Sequence, residues 1–173
     1  MGKIGKNAPV KLVVGFIYKE GPTLHKVKLI LQKYFGEIDF ESQELEFNLT
    51  DYYKDELGVG LKRKFISFRK LILPQALPKI KILTNKIEEK LALNNNRTIN
   101  IDPGYLNLAK FVLATTKDFA HRIYIDKGIY AEITLTYLGK TFKSWEWTYP
   151  DYRTEAYIEI LNSIREIFSQ QIK

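Results

Sequence analysis

The chain has no cysteine. That excludes a disulfide framework, a thiol nucleophile, cysteine-ligated zinc and iron–sulfur clusters together. Histidine is nearly as scarce, with His25 and His121 far apart. A transition-metal site would need Asp102, Asp118, His121 and Asp151 gathered by folding, and none is predicted. No apolar run approaches the roughly 18 residues of a membrane span. The opening MGKIGKNAPVK is too short and polar for a signal peptide, so a cytosolic location is expected. Lys6 stands where a myristoylation signal needs Ser or Thr, so no lipid anchor is expected either. Low-complexity stretches, linkers and internal repeats are also missing, which predicts one domain over residues 1–173 with 1–10 flexible.

What is present is a globular composition: 173 residues, 45% apolar, 27% charged, with 11 Tyr, 10 Phe and 2 Trp. A chain of this length buries roughly two thirds of its unfolded surface and needs no metal or disulfide staple. The net charge of +7 and a pI near 9.4 favour anionic ligands such as RNA, DNA or phosphorylated metabolites. The same charge equally serves solubility.

Taken in order, Lys11 to Tyr18 (KLVVGFIY) reads as a strand buried on both faces. Gly21-Pro22-Thr23 opens a helix with Leu24, Val27, Leu31 and Tyr34 on one side and Gly36 as its stop. From Glu37 to Phe47 apolar and acidic residues alternate, with a bulge at Ser42-Gln43. A short helical turn follows at Thr50 to Tyr53, then a loop with Gly58 and Gly60. Leu61 to Lys70 (LKRKFISFRK) is a strand of five cations and no acid, interleaved with Phe65 and Phe68. Such interleaving suits phosphate contact and base stacking, although period two sends at least one Phe to the core. A helix follows, with its stripe at Leu77, Ile80, Leu83 or Thr84, Ile87 and Leu91. Arg97 to Ile101 returns as a strand, and Asp102-Pro103-Gly104 reads as a turn.

The order β-α-β-β-α-β is the split βαβ arrangement of ferredoxin-like sandwiches. Four further strands, Ala109–Thr115, Arg122–Ile125, Ile129–Tyr137 and Thr141–Trp147, extend it as an antiparallel meander through two hairpins. A last helix buries Tyr157, Ile160, Leu161, Ile164, Ile167 and Phe168. The fold class is α+β.

The strings VKLVVGFIY, TDYY, LKRKFISF, INIDPGYLNLAKFVLATTKDFAHRIY, GIYAEITLTY and WTYPDYR resemble, over nearly the whole chain, a prokaryotic family catalogued as a domain of unknown function. Its members often carry the automatic label "GTP-binding protein", and the resemblance assigns no catalytic residue. The residues do not encode the usual P-loop GTPase. Gly139-Lys140-Thr141 has the right ending, but Thr134 occupies the required upstream glycine position and the run sits in a hairpin. Thr116-Lys117-Asp118 lacks the residue that a guanine-reading motif places between Lys and Asp. Nucleotide binding by another geometry stays open, and no cofactor is named.

The densest group of chemically able side chains lies between Ile99 and Tyr124. Asp118 and His121, three apart, would share a face of a helical turn and act as an acid–base pair. Thr115, Thr116 and Lys117 offer hydroxyls, amides and a cation to a phosphate, with Lys62, Arg63 and Arg122 as further phosphate holders. If the meander folds back, Asp102, Tyr105, Tyr149, Asp151 and Arg153 converge on the same place. The alternative is structural: turns at Asp102 and Thr116, a cap at Asp118, and Arg122 paired with Asp151 or Glu132. Two functions follow. One is a cytosolic binding domain or enzyme for a phosphorylated small molecule or RNA. The other is a non-enzymatic module binding a protein partner or its own copy through Tyr52, Tyr53, Trp145, Trp147 and Tyr149.

Overall fold

The continuous apolar run near the N-terminus becomes the central strand, because only a strand covered on both faces can bury every side chain it carries. The computed structural model describes residues 2–50 and 52–173; Asp51, in the expected turn at Thr50 to Tyr53, lies outside the described residues. Strand β1 (Lys11–Tyr18) is buried at all its positions. Leu12, Val14, Phe16 and Tyr18 pack on one face against Leu24, Val27 and Leu31 of α1 (Gly21–Phe35) and Ile80 and Ile87 of α3 (Leu77–Leu91). Val13 points to the other face, where α4 (Glu155–Gln171) lays Tyr157, Leu161, Ile164 and Phe168. The sheet is therefore the middle of three layers. Pro22 starts α1, and Gly36, at φ 87°, closes it with its N–H on the Gln32 carbonyl at 2.8 Å. Thr154 caps α4 by accepting the Tyr157 N–H.

The remaining elements are β2 (Ile38–Glu41), β3 (Leu45–Glu46), α2 (Lys54–Leu57), β4 (Lys62–Phe68), β5 (Ile99–Leu106), β6 (Lys110–Thr115), β7 (Ile123–Asp126), β8 (Ile129–Leu138) and β9 (Thr141–Ser144). The acidic stretch is two short strands, both paired with β4, broken at Ser42, whose side chain and amide bond the backbone of Phe65. The order β2–β4–β1–β5, antiparallel throughout, is the ferredoxin-like half. Strands β6 to β9 extend it, also antiparallel. Within the extension β8, not β7, lies beside β6, and β7 and β9 pair with opposite ends of the other edge of β8.

Asp102-Pro103-Gly104 is not a turn. It lies inside β5, paired with β1 through Gly15↔Asp102, Val14↔Pro103 and Val13↔Gly104. The misreading has a physical root, since Asp-Pro-Gly carries turn chemistry that a continuous partner strand overrides. On its other edge β5 pairs with β6 only from Gly104 to Leu106. A side-chain carbon at Gly104 would sit 2.5 Å from the Val112 carbonyl oxygen, so glycine lets the two backbones cross closely there. One residue earlier, Pro103 has no N–H to continue the ladder. The sheet splits at this point, and the gap between β5 and β6 opens into a cleft.

Candidate functional site

The free edge of β5 has to be satisfied by something other than β6. Ile101, two residues before Pro103 and so on the same edge, receives α3 side chains instead. Its N–H donates to Glu88 at 2.5 Å, and its carbonyl accepts from Lys81 Nζ at 3.0 Å. Lys81 and Glu88 are seven apart, two turns along one helix face, which suits the reach. Burial raises the pKa of Glu88 against the opposing pull of Lys81 and the Ile101 amide.

The cleft so formed encloses about 640 Å³, within the roughly 300–1,000 Å³ of small-molecule sites. Its floor holds Arg63 of β4, 1% exposed, beside Gly15, whose missing side chain leaves the guanidinium its space. Arg63 donates to the Tyr152 hydroxyl and, at 3.4 Å, to Asp102. The rings of Phe65, Tyr152 and Tyr157 surround it at 4.7, 5.2 and 5.5 Å. Its Nε finds no hydrogen-bond partner among the described residues. Asp102 accepts from Asn100 at 2.7 Å and lies 3.7 Å from Lys81. Asp151 is buried nearby, and that burial raises its pKa although Arg63 opposes the shift.

On the β6 side the wall runs through Leu113, Ala114 and Thr115 to Thr116 and Lys117. Arg122 shapes this wall by donating to Glu132 at 2.9 Å, to the Lys117 carbonyl at 3.1 Å and to the Tyr149 hydroxyl at 2.6 Å. Both charges of the Arg122–Glu132 pair are almost fully buried. Phe47, Leu49, Thr50, Tyr52 and Tyr53 line a further side of the cleft, and Glu56 of α2 follows them. Arg97 makes two 2.6 Å bonds to Glu56, while also donating to Glu88 and Asn100. At the opposite rim Lys117 bonds the Tyr52 hydroxyl and lies 4.2 Å over that ring.

A family model described as "Domain of unknown function (DUF4416)" matches residues 8–168. The chain belongs to this family. No curated protein and no solved structure matches it. Among the described residues of this DUF4416 chain, no helix is long and apolar enough to cross a membrane.

Of the residues expected from the sequence, the cleft of the DUF4416 chain brings together Arg63, Asp102, Thr115, Thr116, Lys117, Arg122, Tyr149 and Asp151. Five lie elsewhere. Lys62 pairs with Glu44 at 2.7 Å on the surface. Tyr105 packs beside Val112, Leu77 and Ala114. Arg153 donates to the carbonyls of Thr148 and Glu146. Asp118 is exposed. His121 takes Glu132 as its carboxylate, at 3.2 Å, rather than Asp118. The segment between Thr116 and Arg122 is irregular and ends in a turn, with the Arg122 N–H on the Phe119 carbonyl at 2.9 Å, so it forms no helical face for Asp118 and His121 to share.

The basic strand meets the acidic one. Lys62, Lys64 and Arg69 pair with Glu44, Glu41 and Glu37, and Phe65 and Phe68 are wholly buried. Lys81, Asn85, Glu88, Arg97, Asn100 and Tyr152 also line the cleft and were not expected as site residues, while Tyr53, expected at a protein interface, lines it as well. The available signal was in α3, where Lys81 and Glu88 stand four residues on from Leu77 and Thr84, along the apolar stripe.

Proposed function

We propose that the cleft between β5 and β6 binds a phosphorylated small molecule of about nucleotide size, in the cytosol. The observation that carries this reading is the split sheet itself: a cavity of about 640 Å³ whose walls combine buried cations, the Thr115 and Thr116 hydroxyls and four tyrosines. A small molecule is favoured over RNA because Lys62, Lys64 and Arg69, which would track a backbone, are in ion pairs and Phe65 and Phe68 are buried. Five cations and five carboxylates line the cavity, so recognition rests on local placement rather than on a net positive field. A thermal-shift screen of nucleotides, phosphosugars and short RNA tests the reading. A small phosphorylated compound is expected to raise the melting temperature, by the equivalent of about 2.7 kcal/mol at a hundred times its Kd. No shift from any of them at millimolar concentration overturns it.

The second reading, self-association or a protein partner, is favoured by a column of near-parallel rings at the far edge of the sheet. Trp145 and Trp147 stack at 5.1 Å, Trp147 and His121 at 5.7 Å, and His121 and Phe119 at 6.1 Å. Beside them Ile123 and Tyr124 of β7 are exposed. Sedimentation showing a monomer across the micromolar range removes this reading for self-association.

A further inference from the structure

Arg63 and Lys81 bring more hydrogen-bond donors to the cleft than the protein matches. A guanidinium carries five N–H groups and an ammonium three. Arg63 has the Tyr152 hydroxyl and a long 3.4 Å contact to Asp102, with its Nε unpartnered among the described residues. Lys81 has the Ile101 carbonyl at 3.0 Å and Asp102 at 3.7 Å. Charge-assisted bonds are normally about 2.7–2.9 Å, so both cations stand off from the carboxylate they share. Asp102 is held where it is by Asn100 at 2.7 Å. Nor do the neighbouring acids fill the deficit, since Glu88 accepts from Ile101 and Arg97 while Asp151 accepts the Tyr152 amide. A buried donor surplus of this kind is costly unless something with several acceptor oxygens completes it.

We infer that Arg63 and Lys81, on either side of Asp102, form the seat of the ligand's phosphate group. This rests on the cleft being a ligand site and deepens it. The phosphate is placed at the floor, away from Lys117 at the rim and from Arg122, each of whose three nitrogens already donates, to Glu132, the Lys117 carbonyl and Tyr149, whereas Arg63 Nε has no partner among the described residues. Lys117, engaged with Tyr52, then adds little to affinity for the anion.

The test is an NMR titration of the full chain with inorganic pyrophosphate, following the arginine Nε–H signals and the backbone amides. The seat predicts a downfield shift of the Arg63 Nε–H together with movement of the Ile101 and Asn100 amides. It also predicts at least a tenfold loss of affinity in Lys81→Met and less than a threefold loss in Lys117→Ala. Shifts confined to Thr115–Lys117 overturn the seat and leave the cleft reading standing. No movement of the Arg63 signal up to tens of millimolar pyrophosphate also overturns the seat, and the cleft reading then falls only if the thermal-shift screen is blank as well. The Arg63 signal is read in the unaltered protein, so the answer does not depend on either variant folding.

Discussion

Alanine at position 104 would set a methyl carbon 2.5 Å from the Val112 carbonyl oxygen and 3.1 Å from side-chain carbons of Leu113 and Phe111. The first contact is with backbone, which cannot rotate aside, so β6 must withdraw from β5 where only Gly104 to Leu106 hold the two strands together. Overpacking of this kind costs about 1–3 kcal/mol. Gly104 is not among the positive-φ residues, so alanine recovers about 0.4–1 kcal/mol by restricting the unfolded chain. From the middle of both ranges the net loss is roughly 1.3 kcal/mol, or a fall of about 3–5 °C in Tm for a chain of this size. Urea unfolding followed by circular dichroism and tryptophan fluorescence measures it. Gly21→Ala is the control: nothing lies within 4 Å of a side-chain carbon there, so its effect should stay within about 0.5 kcal/mol. If Gly104→Ala is no more costly than Gly21→Ala, the strands do not meet at backbone contact and the account of the split is wrong.

Arg122→Met should cost about 3 kcal/mol in the same unfolding assay, the low end for a broken buried pair because the buried Glu132 carboxylate keeps only His121 and Thr134; adding Glu132→Leu should restore part of that, and a double variant worse than the single would contradict the pairing. The Glu56 carboxyl is held below its usual pKa chiefly by hydrogen bonding to Arg97. A depressed folded pKa gives stability that is present above the unfolded value near 4.3 and lost as pH falls through the folded one. The stability gap between wild type and Arg97→Gln should therefore narrow on going from about pH 5 toward pH 3, and a gap independent of pH would refute the assignment. A double-mutant cycle on Trp145 and Trp147 should return a coupling of about 0.5 kcal/mol, the low end for stacked rings because both are partly exposed. A coupling near zero would mean that the two indoles do not stack in solution.

The ferredoxin-like half was legible because its signals are local. The unbroken run at Lys11–Tyr18, the Pro22 start and Gly36 stop of α1, and the stripes of α3 and α4 each declare an element and its buried face. The order within the extension was not, since hairpin chemistry at Lys127-Gly128 and Gly139-Lys140 shows that β7, β8 and β9 are neighbours without saying which of them meets β6. Five of the eight expected residues that line the cleft, Asp102, Thr115, Thr116, Lys117 and Arg122, lie in the polar stretch, yet the proposed pair Asp118 and His121 did not come together, because Glu132 on a neighbouring strand takes His121. Lys81 and Glu88 were passed over because charges on a helix usually face water. Here they bond the backbone of Ile101; their place on the apolar stripe of α3 signals burial, but the partner they meet follows from the loss of a ladder at Pro103, in another element.

Between β5 and β6 the ladder is just three residue pairs long. Mechanically, any opening of the cleft would have to pivot about the β5–β6 hairpin, against the packing under α4 that Val13 and Phe65 share with Phe111, Leu135 and Phe142. Strands lie about 4.8 Å apart, so a rotation of roughly 10° at the pivot would carry β7, three strands out, by about 2.5 Å. The state of the cleft would thus be felt at the exposed aromatic edge, and labels on α1 and β7 would report it as a change in their separation.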